Sequence, residues 1–400
     1  MLKTINGYWF QPKKMLKLFL SVVFILEISG CFKEYPVSDT KSTIVVKKEN
    51  FNQLIGWNDD NFKEVIPVFA KNCRSIKNIK SEFIYSSQIK IKTADYQEIC
   101  RKFNSKNINT SAQMKKFLED EFYPYSVSDG NNPEGKFTSY YEAEIYASLK
   151  KTAEYKYPIY GKPSDLVEIN LRDFDENLPN MRLVGRVNNG KFIPYYNRRE
   201  IENKGIEAPV IMWGNDLVDI HFMQIQGSAI AHMADGTDLR IGYADNNGHK
   251  FRGIGSILIS KKIIDGKDAS MVKIRKWLRK NPDKAASLMA ENERFIFQKL
   301  SNSDGPIGAM GISLTAGRSI AVDNQYIPLG AVMWLSTYNP DKKSINKIVF
   351  AQDIGGAIKG IVRGDYFWGH GEEALKEAGR MNSTGKYYIL APKKSDLKVN

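Results

Sequence analysis

Short β-segments separated by glycine and proline near the C-terminus constrain the fold of this 400-residue chain most strongly. Two apolar, β-branched runs, Ala331–Leu335 and Ile348–Ala351, lie within the stretch Ala321–Gly369. Pro328, Gly330 and several later glycines punctuate them. This pattern predicts strands joined by tight turns.

Three aspartates, Asp323, Asp353 and Asp365, stand at the edges of these runs. Asp353 follows a buried-looking strand and precedes Gly355-Gly356, where the backbone can approach a ligand closely. Taken singly, each aspartate is explained equally well by ordinary turn chemistry.

Composition narrows the function only a little. A chain of this length with 42% hydrophobic residues is expected to form two or three domains. The net charge of +13 suggests an anionic partner: nucleic acid, a phospholipid surface or a carboxylate-bearing polymer. Lysine is plentiful throughout, which alone would give this charge, and no Lys/Arg block with interleaved aromatics favours nucleic acid.

The N-terminus predicts export. A basic segment precedes the apolar run Leu18–Leu26, which is too short for a stable membrane span. Ile28-Ser29-Gly30-Cys31 then resembles a bacterial lipobox, so we expect a signal peptide over residues 1–31, lipidation of Cys31 and a tether over residues 32–50. An ordinary secretory signal is the alternative, and a retained anchor is less favoured.

The other cysteines and the histidines limit the redox and metal chemistry. In an oxidising compartment Cys73 and Cys100 form either a disulfide or two buried thiols on neighbouring helices. The four histidines are scattered, so we expect no metal site.

Helices and then strands are expected in the first third of the chain. Residues 94–103 and 111–122 have helical patterns. Strands with aromatic residues follow, and they contain Tyr140 and Tyr141, which would point to opposite faces of a strand.

The middle of the chain predicts mostly short strands in a compact β-domain. The predicted strands are Leu166–Asn170, Leu183–Arg186, Ile211–Trp213, Val218–Ile225, Ile230–Met233 and Arg240–Tyr243. Gln224 and Gln226, followed by Gly227 and Ser228, would share a strand face, and their amides suit sugar hydroxyls and N-acetyl groups. Asp268 to Leu300 has helical patterns, with Asn281-Pro282 opening a second helix.

Together these phrases resemble the murein lytic transglycosylase A family. The matching segments are Phe137–Glu142, Pro194–Tyr196, Gln224–Ser228, Gly242–Ala244, Phe251–Gly255, Gly317–Asp323, Ile327–Gly330 and Ala351–Gly360. The C-terminal part resembles the three-aspartate domain, named for carboxylates at the positions of Asp323, Asp353 and Asp365.

The resemblance implies a mainly β protein with flanking helices. Its double-psi β-barrel would consist of an N-terminal part, residues 51–142, and a C-terminal part, residues 291–400. A smaller β-domain with helices, residues 143–290, would be inserted between them, with the glycan in the groove between the two domains.

The resemblance also implies the site. Asp353 would act as acid and base with Asp365 as a supporting acid, whereas Asp323 is interpreted as a structural turn residue. The expected substrate-binding residues are Thr138, Tyr140, Tyr141, Gln224, Gln226, Gly227, Ser228, Gly355 and Gly356.

The expected activity is cleavage of the β-1,4 bond between N-acetylmuramic acid and N-acetylglucosamine of peptidoglycan, with formation of a 1,6-anhydromuramyl end and without a cofactor. The partners would be glycan strands, a membrane reached through the lipid anchor and cell-wall synthesis complexes. The chain would face the periplasm from the outer membrane. Two alternatives remain: a two-carboxylate hydrolase of the same bond and a non-catalytic peptidoglycan-binding lipoprotein.

Overall fold

The computed structural model describes residues 43–85, 87–266, 270–394 and 397–399. Their helices are α1 (Val65–Ile76), α2 (Thr93–Ser105), α3 (Ser111–Glu121), α4 (Arg198–Lys204), α5 (Leu217–Gln226), α6 (Ile254–Ser260), α7 (Met271–Lys280), α8 (Pro282–Met289) and α9 (Gly371–Ala378). The helices predicted over residues 94–103 and 111–122 are confirmed as α2 and α3. Asn281-Pro282 opens α8 as predicted.

The strands of the same ranges make one large sheet and two small ones. They are β1 (Ile44–Lys48), β2 (Ile89–Lys90), β3 (Phe122–Asp129), β4 (Gly135–Ser148), β5 (Tyr157–Tyr160), β6 (Val167–Asn170), β7 (Arg182–Asn188), β8 (Lys191–Pro194), β9 (Val210–Gly214), β10 (Ala229–Met233), β11 (Asp238–Asn246), β12 (Ile296–Ser301), β13 (Ser319–Val322), β14 (Val332–Tyr338), β15 (Ser344–Ile354), β16 (Arg363–His370), β17 (Asn382–Pro392) and β18 (Lys398–Val399).

Part of the large sheet closes into a ring. The strands follow one another as β17, β14, β15, β13, β16 and β4, and β4 pairs again with β17. Two of the ring's pairs are parallel, β13 with β15 and β16 with β4, and its other four pairs are antiparallel. Closure leaves these strands no free edge inside the ring, which makes the ring a rigid platform for side chains.

Strand β4 connects the ring to a second layer of structure. Its first half pairs with β16, and from Ala143 to Ala147 it pairs in parallel with β10. Strands β11 and β12 continue that second sheet, and β9 and β5 attach to the end of β4. The predicted boundary between residues 142 and 143 thus falls inside one continuous strand.

Apolar side chains fill the ring and bury α1–α3 against it. Trp334, Phe350 and Phe69 lie in this core and are inaccessible to solvent. Separate apolar clusters hold the second sheet and helices α5–α8 together. The ring and the second layer are therefore packed around separate apolar clusters and joined by β4.

A buried ion pair fixes the segment before α1 to the ring. The Arg318 guanidinium donates to both carboxylate oxygens of Asp60 at 2.7 Å, and Asp60 also accepts from the Ile348 amide at 2.9 Å. Both side chains are almost fully buried. Two parallel N–H···O bonds in a dry site fix the register of these remote segments.

The prediction of a strand over Val218–Ile225 is wrong, because this segment is the middle of helix α5. The Asp216 carboxylate caps the helix by accepting from the Val218 amide at 2.7 Å. Gly227 ends it at φ +88°, where its amide donates to Met223. Burial on several sides of α5 removes the polar face that reveals an amphipathic helix, so its β-branched residues resembled a strand.

Candidate active site

A groove of about 810 Å³ runs between the ring and the second layer. It brings together most of the residues predicted for the site. Its lining includes Thr138, Tyr140, Gln224, Gln226, Gly227, Ser228, Asp353, Gly355, Gly356 and Asp365.

The two acids lie in a row across neighbouring strands of the ring. Asp353 on β15 pairs with Ala321 on β13, Ala321 pairs with Asp365 on β16, and Asp365 pairs with Thr138 on β4. With about 4.8 Å between strands, the Cα atoms of the two acids are about 10 Å apart. The small side chain of Ala321 leaves the space between them open to the groove.

Asp353 is held at both carboxylate oxygens. Oδ2 accepts from the Tyr140 hydroxyl at 2.9 Å, and Oδ1 accepts from the Ala309 amide at 3.0 Å. Asp353 lines the groove, and burial raises the pKa of its carboxyl to about 6. The hydrogen bonds favour the charged form, whereas the nearby Asp365 opposes it. Asp353 can therefore both release and accept a proton near neutral pH.

Asp365 belongs to a short hydrogen-bonded chain. The Thr138 hydroxyl donates to Asp365 Oδ1, and Arg363 Nη2 donates to the same hydroxyl at 2.7 Å. Burial raises the pKa of Asp365, while Thr138 and the Arg363 charge act in the opposite direction. Thr138 thus orients Asp365 and is not free to turn towards a ligand.

Tyr141 is not placed in the groove, contrary to the prediction for this residue. Its side chain is 2% exposed within the core of the second layer, and its hydroxyl accepts from Arg275 at 3.0 Å. Neighbouring residues of a strand face opposite sides, so Tyr140 lines the groove and Tyr141 does not.

The two glutamines do not share a strand face, because both lie on α5. Gln226 lines the groove and accepts from the Tyr141 amide at 3.2 Å, which ties the helix end to β4. Gln224 is 3% exposed, and within the described ranges its Oε1 has no hydrogen-bond partner.

Comparison with known proteins shows which family has this architecture. Residues 136–299 match the model of the MltA specific insert domain, and residues 318–391 match the 3D domain. A crystal structure of MltA from Neisseria gonorrhoeae has a TM-score of 0.77 and 30% identity, with 89% of this chain and 95% of that chain covered.

Two curated relatives agree with this match. Membrane-bound lytic murein transglycosylase A of Escherichia coli K12 is 28% identical over 80% of this chain and 81% of its own length. A homolog from Buchnera aphidicola is 27% identical over 95% of this chain and 97% of its own length.

The chain belongs to the membrane-bound lytic murein transglycosylase A family. The predicted family and its fold class, a barrel with an inserted second β-domain, are confirmed.

Asp323 has a structural role in this member of the family, as predicted. It is 2% exposed, and its carboxylate accepts from the amides of Gln325 at 3.2 Å and Gly360 at 2.9 Å. It therefore anchors the loop that follows Asp353. In that loop a Cβ on Gly355 would lie 2.5 Å from Ile358, whereas Gly356 faces open space.

Sequence reasoning missed several groove residues. The Ala309 amide reaches Asp353 from a loop 44 positions away, and no local signal could indicate this contact. Arg363 stands two residues before Asp365 on the same strand, so strand alternation could have revealed it. Arg294 and Lys299 on the opposite wall were also missed.

The remaining predictions concern cysteines, metals and membranes. The structure joins Cys73 on α1 to Cys100 on α2 by a disulfide, whereas Cys31 lies outside the described residues. The described residues contain no His, Cys, Asp and Glu group able to hold a metal ion. Among them, no helix is both long and apolar enough to cross a bilayer.

Proposed function

We propose that this chain is a lytic transglycosylase of peptidoglycan that uses Asp353 as its acid and base. It would cleave the β-1,4 bond between N-acetylmuramic acid and N-acetylglucosamine and leave a 1,6-anhydromuramyl end. The observation that supports this most is a groove-facing carboxyl with a pKa of about 6, fixed by Tyr140 and Ala309. Family membership supports the class of reaction.

In the first step protonated Asp353 donates its proton to the glycosidic oxygen. The bond between that oxygen and muramyl C1 breaks with both electrons on the oxygen, and an oxocarbenium-like state develops on the sugar. The Asp353 carboxylate formed in this step accepts from the Tyr140 hydroxyl and the Ala309 amide. These preorganised donors stabilise the charge that appears during the step.

In the second step the muramyl C6 oxygen attacks C1 and its proton passes to Asp353. The bond between C1 and O6 closes the anhydro ring, and Asp353 is protonated again. No water is consumed. The advantage over water attack is proximity, because the attacking hydroxyl belongs to the sugar being cleaved.

Asp365 acts on this cycle through its charge and through Arg363 and Thr138. When it is ionised it opposes the Asp353 anion and adds to the rise in the pKa of Asp353, which burial mainly causes. Arg363 acts on Asp365 in the opposite sense by favouring its ionised form. Together, these effects would keep Asp353 protonated and Asp365 ionised at the start of the reaction.

A hydrolase is the second candidate, because two carboxyl groups, those of Asp353 and Asp365, line the same groove. Inverting hydrolases use one carboxyl as the acid and the other as the base that activates a water. Mass spectrometry of digested cell-wall sacculi separates the two candidates. We expect muramyl ends lighter by one water, and reducing muramyl ends without that loss would contradict the transglycosylase.

A different measurement distinguishes the enzyme from a non-catalytic peptidoglycan-binding protein. Asp353→Asn should lower kcat by about 10³-fold or more while sacculus binding is retained, since general acid–base catalysis contributes about 10²–10⁴ per step. If the wild type binds sacculi and releases no fragments, the binding-protein alternative is correct.

We also propose that the mature chain is held at a membrane by a lipid on Cys31. The lipobox-like segment before Cys31 supports export and lipidation, and the relatives from Escherichia coli and Buchnera aphidicola are named as membrane-bound. The mature chain would face the periplasm from the outer membrane. Intact-mass analysis of the membrane fraction should find an acylated N-terminal Cys31, and Cys31→Ala should release the chain. An unmodified mature N-terminus elsewhere would contradict the anchor.

A further inference from the structure

The groove carries more positive charge than a neutral sugar chain requires. Among the described residues that line it, the cations are Arg198, Arg294, Lys299, Lys359 and Arg363, whereas the carboxylates are Asp353 and Asp365. A cleft with an excess of one sign attracts ligands of the opposite sign. The hydrogen bonds and ion pairs of each cation determine whether it remains available to a ligand.

Two of the five are held by hydrogen bonds within the protein, and a third, the exposed Lys359, lies near a carboxylate. Arg198 donates to Glu202 and to the carbonyls of Asn292 and Arg294. Arg363 holds Thr138, and Lys359 Nζ lies 3.6 Å from Asp323.

Arg294 lacks a strong partner. Within the described part of the chain, the hydrogen bond recorded for its guanidinium goes to the His249 carbonyl at 3.4 Å. Asp245 acts on Arg294 only through its charge, because Arg182 and Lys162 hold its carboxylate at 2.6 Å each. Arg294 is half-buried and has five N–H donors, so most of its donors and its charge remain for a ligand.

The surroundings of Arg294 resemble a recognition surface. Lys299 lies further along the same wall on β12, opposite Gly242, and it has no ion pair among the described residues. Tyr243 and Phe251 line the groove with 41% and 37% of their surface exposed. Exposed aromatic side chains in the same groove as a guanidinium suit a ligand with both apolar and anionic parts.

We propose that Arg294, assisted by Lys299, binds carboxylates carried by the lactyl arm of muramic acid. This inference rests on the proposed function and specifies the substrate further. The carboxylate has two sources: the free lactyl group of peptide-free strands, or the stem peptide attached to that group. Arg294 would bind it through parallel N–H···O bonds, which a planar guanidinium favours.

The test measures binding with Asp353→Asn as the background, so that strands stay intact. Three glycan-strand preparations serve as probes: with stem peptides, with stem peptides whose carboxylates are amidated, and with the peptides removed. The variants are Arg294→Gln, Arg294→Lys and Lys299→Gln. The control is Arg172→Gln, which removes the same charge from an exposed arginine outside the groove with one 3.5 Å bond to the Leu178 carbonyl.

We expect Arg294→Gln to weaken binding of one anionic preparation about tenfold, which is ~1.4 kcal/mol. Binding of the amidated strands should change less than about twofold. Arg294→Lys should retain most of the affinity that Arg294→Gln loses. Lys299→Gln should weaken binding of the same preparation by a smaller factor, and Arg172→Gln should not change binding. The preparation that loses affinity identifies the source of the carboxylate.

Two results would overturn the proposal. One is an equal loss for anionic and amidated strands, and the other is unchanged binding of all three preparations by both Arg294→Gln and Lys299→Gln. Failure of the proposed function would be seen separately. A wild type that binds anionic strands selectively but forms no anhydro ends would contradict the proposed reaction and still support this binding site.

Discussion

The groove has two walls of different construction. On the ring side, Asp353 on β15 and Asp365 on β16 stand on either side of β13 in a closed barrel. On the other side, Gln226 ends a helix, and Arg294 and Lys299 lie beside and on β12, which ends the path of the large sheet. The proposed reacting groups thus occupy the part of the fold with the least freedom, whereas the proposed recognition groups occupy parts that tolerate change. We expect variants on the ring wall to affect stability and kcat, and variants on the other wall to affect KM.

The largest effect is expected from the ion pair that anchors the ring wall. Arg318→Met leaves the Asp60 carboxylate buried without its partner, which typically costs about 3–5 kcal/mol of unfolding free energy. Arg182→Met is the matched change on the other side, and it should cost less because Lys162 still pairs with Asp245. Chemical denaturation of both variants measures this difference, and equal losses would contradict the comparison.

A smaller effect is expected from Asp353→Asn on stability, in the direction of stabilisation. The folded protein binds the Asp353 proton more tightly than the unfolded chain does, since the pKa is about 6 in the fold and about 3.9 without it. Wild-type stability therefore falls as pH rises through this interval. The variant should gain about 1–2 kcal/mol over the wild type at pH ~8 and nothing at pH ~3.5.

Thermal unfolding at the two pH values gives this result directly. The low-pH scan serves as the internal control, because the wild-type carboxyl is then mostly protonated in both states. A gain that is equal at both values would show that the ionisation of Asp353 does not destabilise the fold.

The next effect is on the pH profile. Tyr140→Phe removes a hydrogen bond that stabilises the Asp353 carboxylate, so the pKa of Asp353 should rise further. Because the first step needs protonated Asp353, the fall of kcat/KM at high pH should move upwards by on the order of 0.5–1 pH unit.

Tyr195→Phe is the matched control for this profile. Its hydroxyl donates to the Asp165 carboxylate at 2.9 Å, but this pair lies outside the groove. The control profile should not move. A downward shift for Tyr140→Phe would contradict the role given to Asp353.

The smallest effect is expected on the other wall. Gln226→Ala removes an amide from the groove and its bond to the Tyr141 amide, so KM should rise about three- to tenfold with kcat nearly unchanged, a loss of ~1 kcal/mol. Gln325→Ala, just beyond Asp323 and outside the groove lining, is the control. A loss confined to kcat would place Gln226 among the groups that act on the transition state.

Much of the ring wall could be predicted from sequence. The two apolar, β-branched runs predicted β14 and the second half of β15. The family motif pointed to Asp353, which the structure places in the groove lining. Local patterns failed where tertiary contacts decide the outcome. Helix α5 is buried on several sides, so its sequence lacks the alternation of apolar and polar faces that indicates a helix. The role proposed for Arg294 depends on whether Asp245 is already paired, and its partners Arg182 and Lys162 are far away in sequence. The boundary at residue 142 stays a prediction, because β4 belongs to both sheets.

The row Asp353, Ala321, Asp365 and Thr138 also determines how the chemistry of this fold can vary. A sheet is a lattice with two repeat lengths, about 4.8 Å between strands and about 6.8 Å between same-face residues along a strand. An acid that moves within the ring must therefore jump by a whole repeat, which would carry it out of reach of the scissile bond. Fine adjustment is left to rotamers and to the bulge beside Ala321. New specificities in such a scaffold should consequently arise by remodelling the side that faces the acids.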